Sequence, residues 1–569
     1  MRYLALACDY DGTLASGGRV SEEAIAALEY LRTSGRRIVL VTGRRLDDLR
    51  GVFPQLELFD RVVAENGAVL FDPRTHEERL LCEPPPEAFV DALRAAGVEP
   101  LSVGRAIVAT WSPHEGAVLE AIKRLGLELQ LIFNKGAVMV LPTGVNKASG
   151  LEAVLADMGL SAHNVVAVGD AENDHAMLGR CECAVAVADA IPKLKERADL
   201  VTGKADGAGV VELVGKLADS DLAELEPQLT RHEVAIGVGE DGREVRLPPY
   251  GVNVLLAGTS GSGKSTFATS FLERLAVADR QFCVIDPEGD YPKLDAGVVL
   301  GDEDAVPRAD AVLEVLAHAD HSVVANLLGL SIENRPEFFE ALFPRLLELR
   351  TRTGRPHWIV VDETHHLLPS SWDPATLMLP QRVQGLLLIT VHPDQVSRAV
   401  LSVVDLIVAI GKSPRDTLAL FSRTVGQAAP PAEPEELEAG EAIGWWRRTG
   451  SAPFWFRSFP PKSERRRHVR KYAEGELGPD KSFYFRGPDR KLNLRAQNLM
   501  LFVQLAEGVD DETWTFHLRQ GHYSGWFRTS IKDESLAAAA AEVEAAGLDP
   551  GESRRRIRAA IEERYTAPA

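Results

Sequence analysis

The sequence predicts an α/β protein with two parallel-sheet domains in succession, followed by a mainly helical C-terminal region. Short apolar runs alternate with helical segments over about the first two hundred residues, and a second alternation begins near Asn253. Such alternation is typical of doubly wound sheets. The chain has 569 residues, which is too long for one core and suggests roughly three or four domains.

The composition indicates an ordinary globular protein, with 45% hydrophobic and 26% charged residues. A net charge of −20 argues against general coating of nucleic acid. No apolar run is long enough for a membrane span, and the N-terminus is unlike a signal peptide. None of the five cysteines forms a CxxC pair, which fits a reducing cytoplasm. Cys181 and Cys183 have strand spacing and are interpreted as small buried hydrophobes rather than a metal pair.

Residues 1–215 are interpreted as the first domain. Its buried strands are predicted in the runs LALACDY, RIVLVTG, DRVVAENGAVL and NVVAVGD. SEEAIAALEYLRTSG predicts a helix that starts after Ser21 and stops at Gly35. Residues 83–140 open with EPPPEAFVDALRAAG and predict a small inserted α/β cap. The charged segment 216–232 is interpreted as a linker.

Residues 233–427 are interpreted as the second domain. EVAIGVGEDGREVRLP predicts a hairpin that turns at Asp241 and Gly242, and NVLLAGTSGSGKST predicts a strand, a loop and the start of a helix. Further strands are predicted in QFCVIDPEG, HSVVANLLG, HWIVVDE, GLLLITV and DLIVAIG.

Residues 428–480 are interpreted as a connector, rich first in proline and glutamate and then in basic residues. Its basic segment, Lys462–Lys471, is either a solvated surface or a contact for a polyanion. Residues 481–569 are rich in aromatic side chains and arginine and end in two strongly helical segments. The aromatic residues either form the core of a helical bundle or stack on single-stranded nucleic acid.

Two carboxylates follow the first predicted strand, in the motif DYDGT. Ligands of open α/β sheets bind at the carboxyl ends of strands, so Asp9 and Asp11 are well placed for chemistry. One carboxylate can attack phosphorus, and the other can protonate the leaving alcohol and later activate water. Thr42, at the end of a second strand, can hold a phosphate oxygen.

Three further residues complete this pattern. Lys147, in GVNKASG, lies at a predicted helix start, where a cation and backbone N–H groups favour an anion. Asp170 and Asp174, in GDAEND, follow another strand and can hold a hard divalent cation. Such a cation would neutralise and orient a phosphoryl group.

The pattern resembles the haloacid dehalogenase superfamily, specifically its Cof-like phosphatases with an α/β cap. DYDGT, VLVTGR, GVNKASG and GDAEND appear in the family's order, and AENGA at residues 64–68 also matches. The resemblance implies a HAD Rossmann-like fold, Asp9 as nucleophile, Asp11 as acid/base, and phosphate contacts from Thr42 and Lys147. The Mg²⁺ ligands it implies are Asp9, Asp11, Asp170 and Asp174, helped by Asn173. The implied substrate is a small phosphorylated metabolite such as a sugar phosphate or phosphoglycolate, with cap candidates Arg105, Trp111, His114 and Lys135.

A second phosphate-binding pattern, GTSGSGKST, fills the GxxxxGK[ST] motif between a strand and a helix. Its glycines let backbone N–H groups wrap phosphate, while the lysine reaches the outer phosphates and the hydroxyl binds Mg²⁺. Asp362, after another strand, would support that Mg²⁺, and Glu363 could polarise an attacking water. The residues expected to bind ATP are Gly258, Thr259, Ser260, Gly261, Ser262, Gly263, Lys264, Ser265, Thr266 and Asp362.

This region resembles the HerA/FtsK group of ring-forming P-loop ATPases. VIDPEGDY, ITVHPDQV and DLIVAIGKSPRD match segments of that group. Val391 follows the sensor residue Thr390 where the group usually has glutamine, and His392 is a candidate substitute. The resemblance implies assembly into a homo-oligomeric ring, with Arg398 and Arg415 as candidate trans-acting arginines.

The leading hypothesis is a cytoplasmic, Mg²⁺-dependent phosphatase that forms an aspartyl-phosphate and is fused to an ATP-hydrolysing domain. One alternative is a DNA-handling motor with an appended phosphatase, although the net charge does not support nucleic acid as a partner. Another is a nucleotide-sensing oligomerisation module that gates the phosphatase. The substrate and the coupling between the two sites are left open.

Overall fold

A computed structural model describes residues 1–259, 261–291, 294–371, 383–431, 436–462, 482–488, 491–531 and 533–565. Ser260 and nearly all of the basic segment Lys462–Lys471 lie outside these residues. The chain forms two compact units, Met1–Phe459 and Pro460–Ala569. Within the described residues, no helix combines the length and the apolar character needed to cross a membrane.

The first unit begins with an eight-stranded sheet. From edge to edge its strands are β12 (Leu200–Val201), β11 (Cys183–Ala186), β10 (Val165–Gly169), β1 (Ala5–Cys8), β2 (Arg37–Val41), β3 (Arg61–Ala64), β4 (Val69–Asp72) and β5 (Glu77–Leu80). The strands from β12 to β3 are parallel, and β4 and β5 are antiparallel additions. β1, β2 and β10 are apolar and buried along almost their whole length, as strands covered on both faces must be.

Helices cover this sheet and connect its strands. They are α1 (Glu22–Thr33), α2 (Leu46–Val52), α5 (Lys147–Asp157), α6 (His175–Arg180), α7 (Pro192–Lys195) and α8 (Asp206–Ser220). The helix predicted after Ser21 is confirmed, and the Ser21 side chain caps α1 by accepting a hydrogen bond from the backbone N–H of Ala24. Part of segment 216–232 packs into the core of this sheet through buried leucines, for example Leu217 and Leu225.

A small α/β insertion lies between β5 and α5. Its four-stranded antiparallel sheet has the order β6 (Ser102–Val103), β7 (Val108–Trp111), β9 (Ala137–Pro142) and β8 (Leu129–Asn134). α3 (Glu87–Ala95) and α4 (Glu115–Leu125) pack against it around a small core of their own. We call this insertion the cap.

The second sheet has eleven strands. Their order is β14 (Glu244–Leu247), β13 (Val234–Gly239), β23 (Phe454–Ser458), β22 (Glu441–Trp446), β21 (Leu406–Ile410), β15 (Asn253–Gly258), β20 (Leu386–Thr390), β19 (Trp358–Val361), β16 (Phe282–Asp286), β18 (Val323–Asn326) and β17 (Val298–Leu300). The strands from β21 to β17 are parallel, and the others are antiparallel. The accompanying helices are α9 (Lys264–Val277), α10 (Ala309–Ala317), α11 (Arg335–Thr353), α12 (Thr364–Leu367), α13 (Arg398–Ser402) and α14 (Pro414–Val425).

Both faces of this second sheet are covered. In β15, Leu255 and Ala257 belong to one hydrophobic core, while Val254 and Leu256 belong to the core on the opposite face. A strand buried on both faces reads as a continuous apolar run, which is why the sequence identified it.

The structure differs from the sequence interpretation at the predicted connector. β22 and β23, within residues 428–480, pair with β21 and β13 and therefore belong to the second sheet. The apolar segments EAIGWW and FWFRS supply these strands, but the proline and glutamate residues before them suggested a domain boundary. The hairpin predicted around Asp241 and Gly242 is confirmed as the antiparallel pair β13 and β14.

The second unit is mainly helical. Its helices are Leu499–Gly508, Asp511–Arg519, His522–Trp526, Glu534–Ala545 and Pro550–Tyr565, and two short strands, β24 (Phe483–Phe485) and β25 (Leu494–Ala496), precede them. Phe485, Phe502, Trp514 and Tyr523 are buried together in its core. Because these rings are enclosed, the packing interpretation of the aromatic residues is favoured over nucleic-acid stacking.

Candidate functional sites

Three carboxylates meet at the carboxyl end of the first sheet. Asp9 follows β1 and Asp170 follows β10, which are adjacent parallel strands with Cys8 opposite Val168. Asp174 lies in the short turn after Asp170, and each of the three residues offers a carboxylate oxygen within 4.8 Å of the others. All three side chains are buried. This oxygen-rich donor set fits a hard divalent cation such as Mg²⁺.

Lys147 joins two of these carboxylates. Its Nζ donates to Asp9 Oδ1 at 2.5 Å and to Asp174 Oδ1 at 2.6 Å. The lysine is the first residue of α5, which is held by a capping box between Asn146 and Ser149. The capping box at the start of α5 therefore fixes the direction from which the Lys147 ammonium group enters the site.

The charges in this cluster strongly affect one another's pKa values. Burial raises the pKa of Asp9 well above its usual range, Asp174 adds to the rise, and Lys147 opposes it. Burial alone would lower the pKa of Lys147, but Asp174 and Asp9 more than offset this and leave it above the ordinary lysine value. Burial also raises the pKa of Asp170. A bound cation would relieve the repulsion among these crowded carboxylates.

Asp11 is not brought into the carboxylate cluster. Arg44 binds it in a two-pronged ion pair, with Nε to Oδ2 at 2.6 Å and Nη2 to Oδ1 at 2.7 Å. Thr42 is buried at the end of β2, where its hydroxyl oxygen accepts a hydrogen bond from the Arg44 backbone N–H. Arg44 was visible in the sequence only as the last residue of VLVTGR, and nothing there indicated that it would hold Asp11.

The segment AENGA supports the site through close packing. Asn173 donates its Nδ2 to Asn66 Oδ1 at 3.0 Å. Gly67 has a φ of +112°, and a Cβ at this position would lie 1.9 Å from the carbonyl oxygen of Asn146. Only glycine can therefore approach the start of α5 so closely, which explains this residue of the motif.

One of the four cap candidates reaches the carboxylates. Lys135, in the turn between β8 and β9, contacts Asp170 through Nζ, and its backbone N–H donates to Glu172 Oε2 at 3.2 Å. Arg105 pairs with Glu78 instead. The other two, Trp111 and His114, lie at the end of β7 and before α4, where Trp111 is exposed and His114 Nε2 contacts the carbonyl oxygen of Glu99.

The second site lies where β15 ends. A Cβ at Gly258 would approach the Ile410 carbonyl oxygen to 2.2 Å, and Gly261 and Gly263 have positive φ angles of 72° and 98°. These glycines let the loop turn tightly between the strand and α9. Lys264, the first residue of α9, folds its Nζ onto the carbonyl oxygens of Gly258 at 3.1 Å and Thr259 at 3.0 Å.

One hydroxyl group of this loop is available to a ligand. Among the described residues, the buried Oγ of Ser262 has no hydrogen-bond partner. Ser265 donates to Asp290 Oδ2 at 2.6 Å, and Thr266 lies in the same first turn of α9. Asp290 lies within VIDPEGDY, and nothing in the sequence indicated a role for it.

Asp362 and Glu363 follow β19, two strands away from β15. Burial raises the pKa of Asp362 to about 7, and the nearby carboxylates of Asp286 and Glu363 add to this. Burial lowers the pKa of Lys264, and the negative charges of Glu363 and Asp362 oppose that change. The loop lysine and this acidic pair therefore belong to one electrostatic environment.

Thr390, the residue predicted to act as a sensor, has an unexpected neighbour. Thr390 ends β20, the strand between β15 and β19, and its hydroxyl lies 3.1 Å from His365 Nδ1. The predicted substitute, His392, contacts Thr390 only through its backbone N–H, at 3.0 Å. Burial and two neighbouring histidines lower the pKa of His365 to about 4, so this ring is neutral near pH 7.

The two candidate trans-acting arginines lie on neighbouring helices of the second region. Arg398 begins α13 and donates to the Val425 carbonyl oxygen at the end of α14. Arg415 lies in the first turn of α14.

Known proteins match the N-terminal region. The haloacid dehalogenase-like hydrolase family matches residues 6–94 and 121–214. The phosphoglycolate phosphatase of Methanothermobacter thermautotrophicus is 33% identical over 220 residues, covering 37% of this chain and 96% of that protein. That of Haloarcula marismortui is 34% identical over 225 residues, covering 38% and 97%. A solved HAD subclass IIB sugar phosphatase is 20% identical, with a TM-score of 0.33 and coverage of 37% and 98%.

The sequence match and the geometry therefore agree on this part of the chain. The family match spans the strands that carry Asp9 and Asp170 as well as the start of α5. Through its N-terminal region of about 220 residues, the chain belongs to the haloacid dehalogenase-like hydrolases and is homologous to phosphatases.

Proposed function

We propose that the N-terminal region hydrolyses a small phosphate monoester through a phosphoryl group carried on Asp9. The observation that carries this proposal is the buried group of Asp9, Asp170, Asp174 and Lys147 at the carboxyl end of the sheet. Asp9, Asp170 and Asp174 would hold Mg²⁺, which would neutralise and orient the phosphoryl group. The predicted metal role of Asp11 receives no support from its carboxylate, since that group is bound by Arg44.

The proposed reaction has two steps. In the first, an Asp9 carboxylate oxygen attacks phosphorus, the ester P–O bond breaks, and Asp11 gives its proton to the leaving oxygen. In the second, water attacks the phosphoryl group, Asp11 takes a proton from that water, and Asp9 is released with inorganic phosphate. Lys147 and Thr42 bind the phosphate oxygens. Because Arg44 holds Asp11 outside the cluster as an ion-paired carboxylate, Asp11 must leave Arg44, take up a proton from solvent and rotate toward the substrate before it can give that proton to the leaving oxygen.

We further propose that the substrate carries a second negative charge beyond its phosphate. Lys135 brings a cap ammonium group to the catalytic carboxylates, and its side chain remains half exposed. A carboxylate next to the phosphate ester would give this cation a second partner, besides Asp170, when substrate binds. Phosphoglycolate has this chemistry, and both relatives described above are named as phosphoglycolate phosphatases.

A phosphate-release screen tests this part of the proposal. The full chain is assayed with phosphorylated metabolites and nucleic-acid ends, with Mg²⁺ or with a chelator, and with or without ATP. We expect the highest kcat/KM for a small carboxylate-bearing phosphate ester and loss of activity with the chelator. A preference for nucleic-acid ends would contradict the proposed substrate class.

The second proposed function is ATP binding and hydrolysis at the loop Gly258–Thr266. It is supported by the tight glycine turn, by the Ser262 hydroxyl, which has no partner among the residues that the structure describes, and by Lys264 at the start of α9. Lys264 would reach the outer phosphates, Ser265 and Asp362 would hold Mg²⁺, and Glu363 would orient the attacking water. Nucleotide binding to the wild type, and its loss in Lys264→Ala, tests this assignment. Stimulation of ATP hydrolysis by DNA would favour the motor alternative.

A further inference from the structure

Three helices that begin at proposed phosphate-handling residues end at one junction between the two sheets. α5 begins at Lys147, α6 begins directly after Asp174, and α9 begins at Lys264. Arg180, the last residue of α6, pairs with Glu152 on α5 and with Asp279 just beyond α9. The end of α9 is therefore connected to both helices that position the catalytic groups.

A buried ionic cluster fixes the same junction. Glu182 lies just after α6, and its carboxylate accepts hydrogen bonds from Arg2 at 2.8 Å and from Arg280 at 2.8 Å. His163 Nδ1 lies 2.7 Å from the same carboxylate, and its Nε2 donates to the carbonyl oxygen of Ala278 at 2.6 Å. Because Ala278 and Arg280 follow α9 directly, the end of this helix is bound to the first sheet by charged and hydrogen-bonded contacts.

The cluster is better suited to joining the two sheets than to holding a metal. His163, Glu182 and His232 could offer three ligand atoms within 4.8 Å of one another. Two buried arginines, Arg2 and Arg280, already neutralise Glu182, and their positive charge opposes a cation there. The contacts instead span the boundary between the first and second sheets.

We propose that nucleotide binding at Lys264, at the start of α9, changes the phosphatase rate at Asp9 through α9 and this junction. The inference rests on both parts of the proposed function. Lys264 now bonds carbonyl oxygens of its own loop, so a nucleotide phosphate must draw the ammonium group away from them. Since Lys264 is the first residue of α9, this rearrangement acts on the helix whose far end contacts Arg180 and Glu182.

The junction also has room for a small displacement. A cleft of about 330 Å³ runs along it and is lined by Glu152, Arg180, Asp279 and Arg280, among others. A shift of the end of α9 would move Arg180, and with it the end of α6 that follows Asp174. Linkage requires the effect to be mutual, so phosphatase ligands should also change the affinity for nucleotide.

The test uses the full chain, Mg²⁺, phosphoglycolate as phosphatase substrate, and the β,γ-imido analogue of ATP. Binding of the analogue is measured directly by calorimetry, and phosphate release is measured with and without it. We expect saturating analogue to change kcat/KM by about fivefold, within the usual range of allosteric coupling. Lys264→Ala should show no such response, which distinguishes binding at the loop from competition at Asp9.

Two variants at the junction then test whether the coupling between the two sites passes through it. Asp279→Asn removes one charge at a residue with φ of 53°, a conformation that asparagine tolerates, and Arg280→Lys keeps the charge but loses the guanidinium geometry. Both variants should keep basal phosphatase activity and nucleotide affinity. The change in kcat/KM that the ATP analogue causes should fall below about twofold in both. The matched control is Asp157→Asn, on α5, whose partner Arg79 lies in the first region; it should respond like the wild type.

The possible outcomes distinguish failure of the proposed coupling from failure of nucleotide binding or of phosphatase activity. If the wild type does not bind the analogue, or does not release phosphate, the corresponding proposed function fails and the inference fails with it. If both functions hold but the analogue leaves kcat/KM unchanged, only the inference is overturned. A response that Asp279→Asn and Arg280→Lys keep in full would also overturn it, because the coupling would then bypass the junction.

Discussion

At the scale of single residues, the first site combines groups that the motifs identified with groups that they did not. Asp9, Asp170 and Asp174 lie together because they follow parallel strands or occupy one turn. The motifs and the family resemblance predicted these three residues together with Asp11, which lies outside the cluster. The pairing of Arg44 with Asp11 was not predictable, because strand position fixes where a side chain starts but not which partner it selects.

Lys135 is the residue on which the proposed substrate class depends. Lys135→Met should raise KM for phosphoglycolate and lower kcat/KM on the order of tenfold to a hundredfold, since a charge-assisted hydrogen bond contributes about 1.5–3 kcal/mol. The effect should be smaller for an aryl phosphate without a carboxylate. Steady-state kinetics on both substrates measure this difference. Lys123→Met, on the exposed end of α4 in the same cap, is the control. Equal losses on both substrates would assign Lys135 to metal or phosphate binding instead.

The buried carboxylate of Glu182 should contribute strongly to stability. Glu182→Gln removes the buried charge that pairs with Arg280 and Arg2 and leaves Arg2 only the more exposed Glu226. Breaking a buried ion pair in this way typically costs about 3–5 kcal/mol. Burial opposes the charge of Glu182, but Arg280, His163 and Arg2 more than offset this and lower its pKa well below the usual value.

The lowered pKa of Glu182 sets how the free energy of unfolding depends on pH. A carboxylate with a lowered pKa stabilises the folded state fully above its unfolded-state pKa of about 4.3, and this stabilisation is lost as the pH falls through the pKa of the folded state. Urea unfolding should therefore show a large deficit for Glu182→Gln at pH 7 that shrinks in acid. Glu226→Gln removes a more exposed partner of Arg2 and should have little effect. An undiminished deficit below the folded pKa would argue against a charged Glu182.

At the scale of elements, the site depends on where helices begin. α5 starts at Lys147 because Asn146 and Ser149 form a capping box, and Gly67 packs directly against the carbonyl oxygen of Asn146. The sequence predicted the helix start, and AENGA matched the resembled family, but neither indicated their contact. Such contacts depend on packing between segments distant in the chain, which periodicity does not report.

This contact gives a prediction for Gly67→Ala. The new Cβ would overlap the Asn146 carbonyl oxygen and would also require a strained backbone, so α5 must shift. We expect lower thermal stability and a kcat reduced on the order of a hundredfold through displacement of Lys147. Gly51→Ala, at an open position in α2, is the matched control and should be neutral or slightly stabilising. Wild-type kcat in Gly67→Ala would show that α5 tolerates the shift.

At the scale of the whole molecule, the sequence located two phosphate-binding patterns but not what lies between them. Each pattern lies at strand ends, where alternation and motif order are informative. The bond between Glu182 and Arg280 joins residues 98 positions apart, and no local pattern marks either of them as a partner. β22 and β23 were missed for a related reason, because proline and glutamate residues precede strands that only the neighbouring sheet can stabilise.

The most direct test of the account compares two variants of the full chain in two assays, phosphate-ester hydrolysis and ATP hydrolysis. Asp9→Asn should lose ester hydrolysis by on the order of a thousandfold or more and keep ATP hydrolysis. Lys264→Ala should lose ATP hydrolysis and keep ester hydrolysis at its nucleotide-free rate. Ester hydrolysis that persists in Asp9→Asn would contradict the assignment of Asp9 as the nucleophile.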